Sequence, residues 1–128
     1  MASTDPLADL LVALKNASQA RLDMVRVPDS HYKQAVLKTL QSEGFVRSFR
    51  TSGRNLEVQV AYGPKRERLI NGVKMISRPG RRVYAGVAGI RPFLRQLETL
   101  VVSTPQGILT GAQAFARKTG GELLCLLW

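Results

Sequence analysis

Few side chains in this sequence could carry out covalent chemistry, and many could grip an anion. His31 and Cys125 are each the only residue of their type, which excludes a metal cluster built from several His and Cys ligands and any intramolecular disulfide. His31 opens a helix and has no neighbour in sequence that suggests catalysis, and Cys125 lies in an apolar run that marks it as a small buried hydrophobe. No paired carboxylates fall in a recognisable motif, and no glycine-rich loop ends in Lys followed by Ser or Thr. The expectation is therefore a protein that is not an enzyme and takes no metal, cofactor or small-molecule substrate. The cations are a different matter. Between positions 65 and 82, Lys65, Arg66, Arg68, Lys74, Arg78, Arg81 and Arg82 face the single acid Glu67. Guanidinium forks bridge phosphate oxygens with two parallel hydrogen bonds, and Pro79-Gly80 forms a rigid turn that sets where Arg78 and Arg81 point. Tyr84 follows Arg82 by two positions, so it either stacks on an unpaired base or fills the core of a strand. Arg82 and Tyr84 share a face if that strand is regular.

The whole composition points the same way. The chain has 128 residues with 19 Lys plus Arg against 9 Asp plus Glu, a net charge of +10 and a pI near 10.7. The charge is uneven: residues 1–64 hold 8 basic and 6 acidic side chains, residues 65–128 hold 11 and 3. Such a field suits a polyanion, nucleic acid first and an anionic membrane surface second. The membrane reading is the weaker one, because the basic residues fall in strands and turns rather than along an amphipathic helix, and no apolar run approaches the ~20 residues of a membrane span. A chain of this length buries roughly 65–70% of its unfolded surface, enough for a core without disulfides.

Period and punctuation outline the elements that must hold these residues. Asp5 caps a first helix with Pro6 in its first turn, and Leu7, Leu10, Leu11 and Leu14 form its inward stripe. Met24 to Val27 reads as a strand stopped by Pro28. Ser30 then caps a helix to about Glu43, with Tyr32, Val36, Leu37 and Leu40 inward. Residues 45–50 and 55–62 form a hairpin in which Leu56, Val58, Val60 and Tyr62 face the core, and Asn55, Glu57, Gln59 and Ala61 face water. Gly63-Pro64 breaks the chain, placing an α-β-α-β-β subdomain over residues 1–63 and a mainly β subdomain with short helices over 64–128. In the second subdomain, strands are expected at 73–76, 82–85, 100–102 and 123–128. Short helices are expected at 91–97 and 111–118, the latter capped by Thr110. The fold class is α+β.

Three segments in order carry a resemblance: Asp5-Pro6-Leu7-Ala8-Asp9-Leu10-Leu11, Ile76-Ser77-Arg78-Pro79-Gly80-Arg81-Arg82-Val83-Tyr84, and 102–110 followed by Gly120-Gly121-Glu122-Leu123-Leu124-Cys125. Together they resemble the ribosomal protein eight family of the small subunit, bacterial or organellar type. The resemblance implies a two-part α+β protein of the ribosome, in a bacterial cytoplasm or an organelle. Its partners would be small-subunit rRNA, bound at an irregular helix of the central domain mostly by the C-terminal half, and other ribosomal proteins. Repression of the protein's own messenger through the same surface is the alternative that the family brings. RNA duplexes hide their major-groove edges, so such a protein must use 2′-hydroxyls, backbone shape and unstacked bases. Ser103 and Thr104 offer hydroxyls, and Gly107 lets backbone approach a ribose or phosphate, although the same stretch also reads as an ordinary turn. The match extends the RNA-facing set to Gln106 and Thr110, and to Lys15 and Lys33 in the N-terminal half. It gives Glu122 the task of orienting the Ser103 loop. Pro105 stands where the family usually has another small hydroxyl, and Gly111, Ala112 and Phe115 replace an acid and two basic residues. Gln106, Arg117 or Lys118 would have to compensate.

Overall fold

The structure, a computed structural model, describes residues 5–128 and divides after Gly72 into two compact units. In the first, α1 (Pro6–Gln19) begins where the Asp5 carboxylate accepts the Ala8 N–H at 3.2 Å, and it buries Leu7, Leu10, Leu11 and Leu14. β1 (Met24–Pro28), α2 (His31–Ser42), β2 (Val46–Ser52) and β3 (Asn55–Val60) follow, with an antiparallel sheet ordered β1-β3-β2. Val27, Val46, Leu56, Val58 and Val60 supply its buried side.

Two side chains of this unit depart from the expected pattern. Lys33, not Tyr32, points inward on α2, because Lys33, Val36, Leu37 and Leu40 are the residues spaced i, i+3, i+4 and i+7. Its ammonium leaves the apolar stripe at the helix end and donates to the Pro28 carbonyl at 2.8 Å. Glu57 lies on the water-facing side of β3 yet is buried, since Arg26 and Arg50 on the flanking strands close over it at 2.9 and 2.8 Å. Hydrogen bonds from Arg50 and then Arg26 hold its carboxyl below the usual glutamate range.

The Gly63-Pro64 break does not separate the units. Residues 64–72 fold back onto the first: Gly63 donates to Glu67, Tyr62 bridges Arg68, and buried Ile70 accepts the Ser18 hydroxyl at 2.9 Å. The Arg66 guanidinium sits 4.9 Å from the Tyr62 ring centre and reaches Asp23 at 3.1 Å, while the Tyr62 hydroxyl donates to Leu22. Local turn residues announce a bend in the chain, but Ile70 packs with what precedes it.

The second unit runs β4 (Val73–Met75), β5 (Tyr84–Ala85), α3 (Val87–Ile90), a 3-10 helix (Arg91–Arg95), β6 (Thr99–Thr104), β7 (Gly107–Thr110), α4 (Gly111–Ala116) and β8 (Gly121–Leu127). Its antiparallel sheet is ordered β4-β8-β6-β7, with β5 also paired to β8. One sheet face, carrying Leu100, Val102, Leu109, Leu123 and Leu126, forms the core with Ile90 and Ala114, and Ile76, Val83, Phe93 and Phe115 pack against it. The strand expected at 82–85 shrinks to Tyr84–Ala85 because residues 78–81 form a tight turn closed by reciprocal backbone bonds of 3.1 and 2.9 Å. Gly80 makes that turn possible with φ of +81°, next to a proline at the preceding corner. β7, a strand not among those expected, pairs with β6 in a hairpin. At Gly121 a Cβ would fall 2.0 Å from the Ser103 carbonyl oxygen, so only glycine lets β8 and β6 approach this closely.

Candidate nucleic-acid interface

A break in the β6–β8 ladder builds the site. Val101 is opposite Cys125 but Val102 is opposite Leu123, so Leu124 is the extra residue of a bulge. Without it Ser103 would meet Leu123; with it, Glu122 comes up beside Ser103. The row across the sheet is then Tyr84, Glu122, Ser103 and Ile108, on β5, β8, β6 and β7 respectively. Side chains opposite one another share a face, so these four lie on the side away from the core cluster.

Their exposure settles the alternatives left open for Tyr84. Tyr84 is 71% exposed and not a core residue. Arg82 stands beside it and donates from Nη1 to Glu122 Oε2 at 3.3 Å, which tethers the guanidinium to the same row and leaves donors of the fork over. Glu122 thus positions Arg82, and among the described residues no side-chain hydrogen bond joins its carboxylate to the Ser103 loop, the role the resemblance implied. Ser103 is half-buried, and its hydroxyl makes no hydrogen bond among the described residues. Thr104 differs: its hydroxyl donates to the Gly107 carbonyl at 2.8 Å and accepts the Gln106 N–H at 3.0 Å. It shapes the turn that exposes Pro105, Gln106 and Gly107 instead of offering a free donor.

Other expected residues are elsewhere. Thr110 is buried and caps α4, accepting the Gln113 N–H at 3.1 Å while its own N–H donates to Gln113 Oε1 at 3.0 Å. It is not in the exposed loop, because that hydroxyl is consumed by the helix start. Lys33 is buried in the first unit and Lys15 is half-buried on α1, so neither belongs to this row. Arg78, Pro79, Gly80 and Arg81 are exposed, but Arg78 and Arg81 line a cleft with Lys74, Val83 and Phe93 and do not join Tyr84. Of the compensating candidates, Gln106, Arg117 and Lys118 are exposed, while Phe115 is spent on the core in place of a cation. Ile108 joins the row with no signal in the sequence, since nothing there marks β7 as a partner of β6.

A tethered guanidinium, a bare aromatic ring, a hydroxyl unengaged among the described residues and a backbone turn in open space are groups whose chemistry suits an anionic, base-bearing chain. Among the described residues no set of three or more His, Cys, Asp or Glu side chains could hold a metal, and burial pushes the Cys125 thiol up to about 12. No helix among them is long and apolar enough to cross a membrane. The chain matches the family described as ribosomal protein S8 over residues 5–128, and it belongs to that family, which is not one of enzymes. It is 42% identical to the small ribosomal subunit protein uS8 of Streptomyces griseus over 132 aligned positions covering both chains entirely. It is similar also to the proteins of that name from Nocardia farcinica, at 41% with full coverage, and Caldicellulosiruptor bescii, at 41% with 97% of each chain covered.

Proposed function

We propose that the protein is a structural constituent of the bacterial small ribosomal subunit, in the cytoplasm, and that it binds the central domain of small-subunit rRNA directly to support assembly. Tyr84, Arg82, Ser103 and the 104–107 turn make the contact. The observation that carries this reading is the exposed Tyr84 ring in one row with the unengaged Ser103 hydroxyl, next to a guanidinium. Each part meets one feature that folded RNA presents: an unstacked base takes the ring, a 2′-hydroxyl or base edge takes Ser103, and a phosphate takes the remaining donors of Arg82. The bacterial source of the three relatives supports the location.

The test is a gel-shift titration with a central-domain rRNA fragment and an unrelated duplex of equal length. Removing a stacked ring costs roughly 1–3 kcal/mol, so Tyr84→Ala is expected to weaken the specific complex by about 5- to 150-fold and hardly touch binding to the unrelated duplex. Equal loss on both RNAs, or no loss on either, would remove this face from the account.

A further inference from the structure

We infer that the cleft lined by Lys74, Arg78, Arg81, Ile76, Val83 and Phe93 docks an acidic segment of another protein, on the sheet face opposite the row of Tyr84 and Ser103. Lys74 is opposite Leu126 on β8 and Leu126 opposite Leu100 on β6, and both leucines belong to the core cluster. Alternation therefore sends Lys74 to the core side of the sheet, at its β4 edge, and Tyr84 to the other. An RNA helix lying on Tyr84 would have to pass around the sheet edge to use this cleft.

The cleft is charged in one sense only. Its lining has three cations and no carboxylate, and among the described residues none of Lys74, Arg78 and Arg81 forms an ion pair, whereas Arg26, Arg50, Arg66 and Arg82 each do. Arg78 and Arg81 emerge from one turn, braced by their reciprocal backbone bonds and by Ser77, whose buried hydroxyl accepts the Val83 N–H at 2.9 Å. Holding both arginine backbones in place beforehand lowers the ordering cost of binding. The space, about 660 Å³, has a floor of Ile76, Val83, Phe93 and Leu126, continuous with the core cluster.

That floor decides the class of occupant. A phosphodiester backbone meets cations alone and has no use for aliphatic ground, and bases prefer flat rings, of which this lining has just Phe93. Carboxylates at the rim and a branched or aromatic side chain on the floor satisfy both parts at once, which is the chemistry of an extended acidic peptide. The inference goes beyond the rRNA reading and uses a different face.

The test uses the full chain and a fluorescein-labelled ten-residue peptide alternating Asp or Glu with Phe and Leu, followed by anisotropy. A control peptide has Ser at each Phe and Leu. Arg78→Gln with Arg81→Gln is expected to weaken peptide binding roughly tenfold, as is the serine control, while Tyr84→Ala leaves it unchanged. The peptide should also bind protein already saturated with the rRNA fragment. Displacement of the peptide by that fragment, indifference to the double substitution, equal binding of the serine control or no binding at all would each overturn the inference. Because the same variants are titrated with rRNA, loss of RNA binding by the intact protein with peptide binding retained would sink only the rRNA reading.

Discussion

Ser103 and Thr104 are neighbours with the same functional group and opposite employment. The Ser103 hydroxyl is unengaged among the described residues, while that of Thr104 closes its turn through Gly107 and Gln106. Ser103→Ala should leave the melting temperature within about a degree and lower affinity for the central-domain fragment by the loss of one hydrogen bond, about 0.5–1.5 kcal/mol. Thr104→Ala should lower both, because the turn loosens before RNA arrives. Thermal melts and gel shifts on the two variants check the contrast, which fails if they behave alike. Lys33 illustrates the reverse case, a cation that the resemblance points toward RNA and the fold turns inward. Lys33→Met retains the stem but removes the hydrogen bond to the exposed Pro28, so unfolding in urea should show a loss of about 0.5–1.5 kcal/mol. The salt dependence of RNA binding should not change; a shallower slope would place Lys33 at the RNA after all.

Among the elements, the β1-β3-β2 sheet of the first unit carries a pH-sensitive feature. Glu57 has a folded-state carboxyl held below its unfolded value of 4.5 by Arg50 and Arg26. A depressed acid stabilises the fold at pH above its unfolded value, and the contribution disappears as pH falls through the lower, folded one. Wild-type protein should therefore melt higher than Glu57→Gln at pH 7, and the two curves should converge on acidification below pH 4.5; a gap unchanged down to strong acid would contradict the assignment. In the other sheet, the bulge at Leu124 and the close approach at Gly121 act together to set Glu122 against Ser103 and Tyr84. Gly120-Gly121 is visible in the sequence. The bulge is not, since every residue from Leu123 to Leu127 is apolar and any register buries something.

For the molecule as a whole, the proposed RNA binding is expected to be governed by charge. Each phosphate neutralised steepens the fall of log affinity with log salt by roughly 0.7–0.9, so affinity for the central-domain fragment should drop sharply between low and physiological salt. Arg82→Gln should reduce that slope by about one, measured by filter binding over a salt series, and a wild-type slope near zero would refute the electrostatic account. At this scale the division of labour between sequence and fold is clear. Helix starts at Asp5, Ser30 and Thr110, the alternation in β3, the α+β class and the cationic character were legible because capping, period and charge are local properties of the chain. The tertiary structure decided which polar residues are available: Thr110 and Lys33 are consumed inside, Tyr84 is bare, and Arg78 and Arg81 line a cleft apart from Arg82. Those outcomes depend on strand register, on one bulge and on side chains far apart in sequence closing over one another. No window of neighbouring residues encodes them, because a residue's access to solvent is fixed by what the rest of the chain places against it.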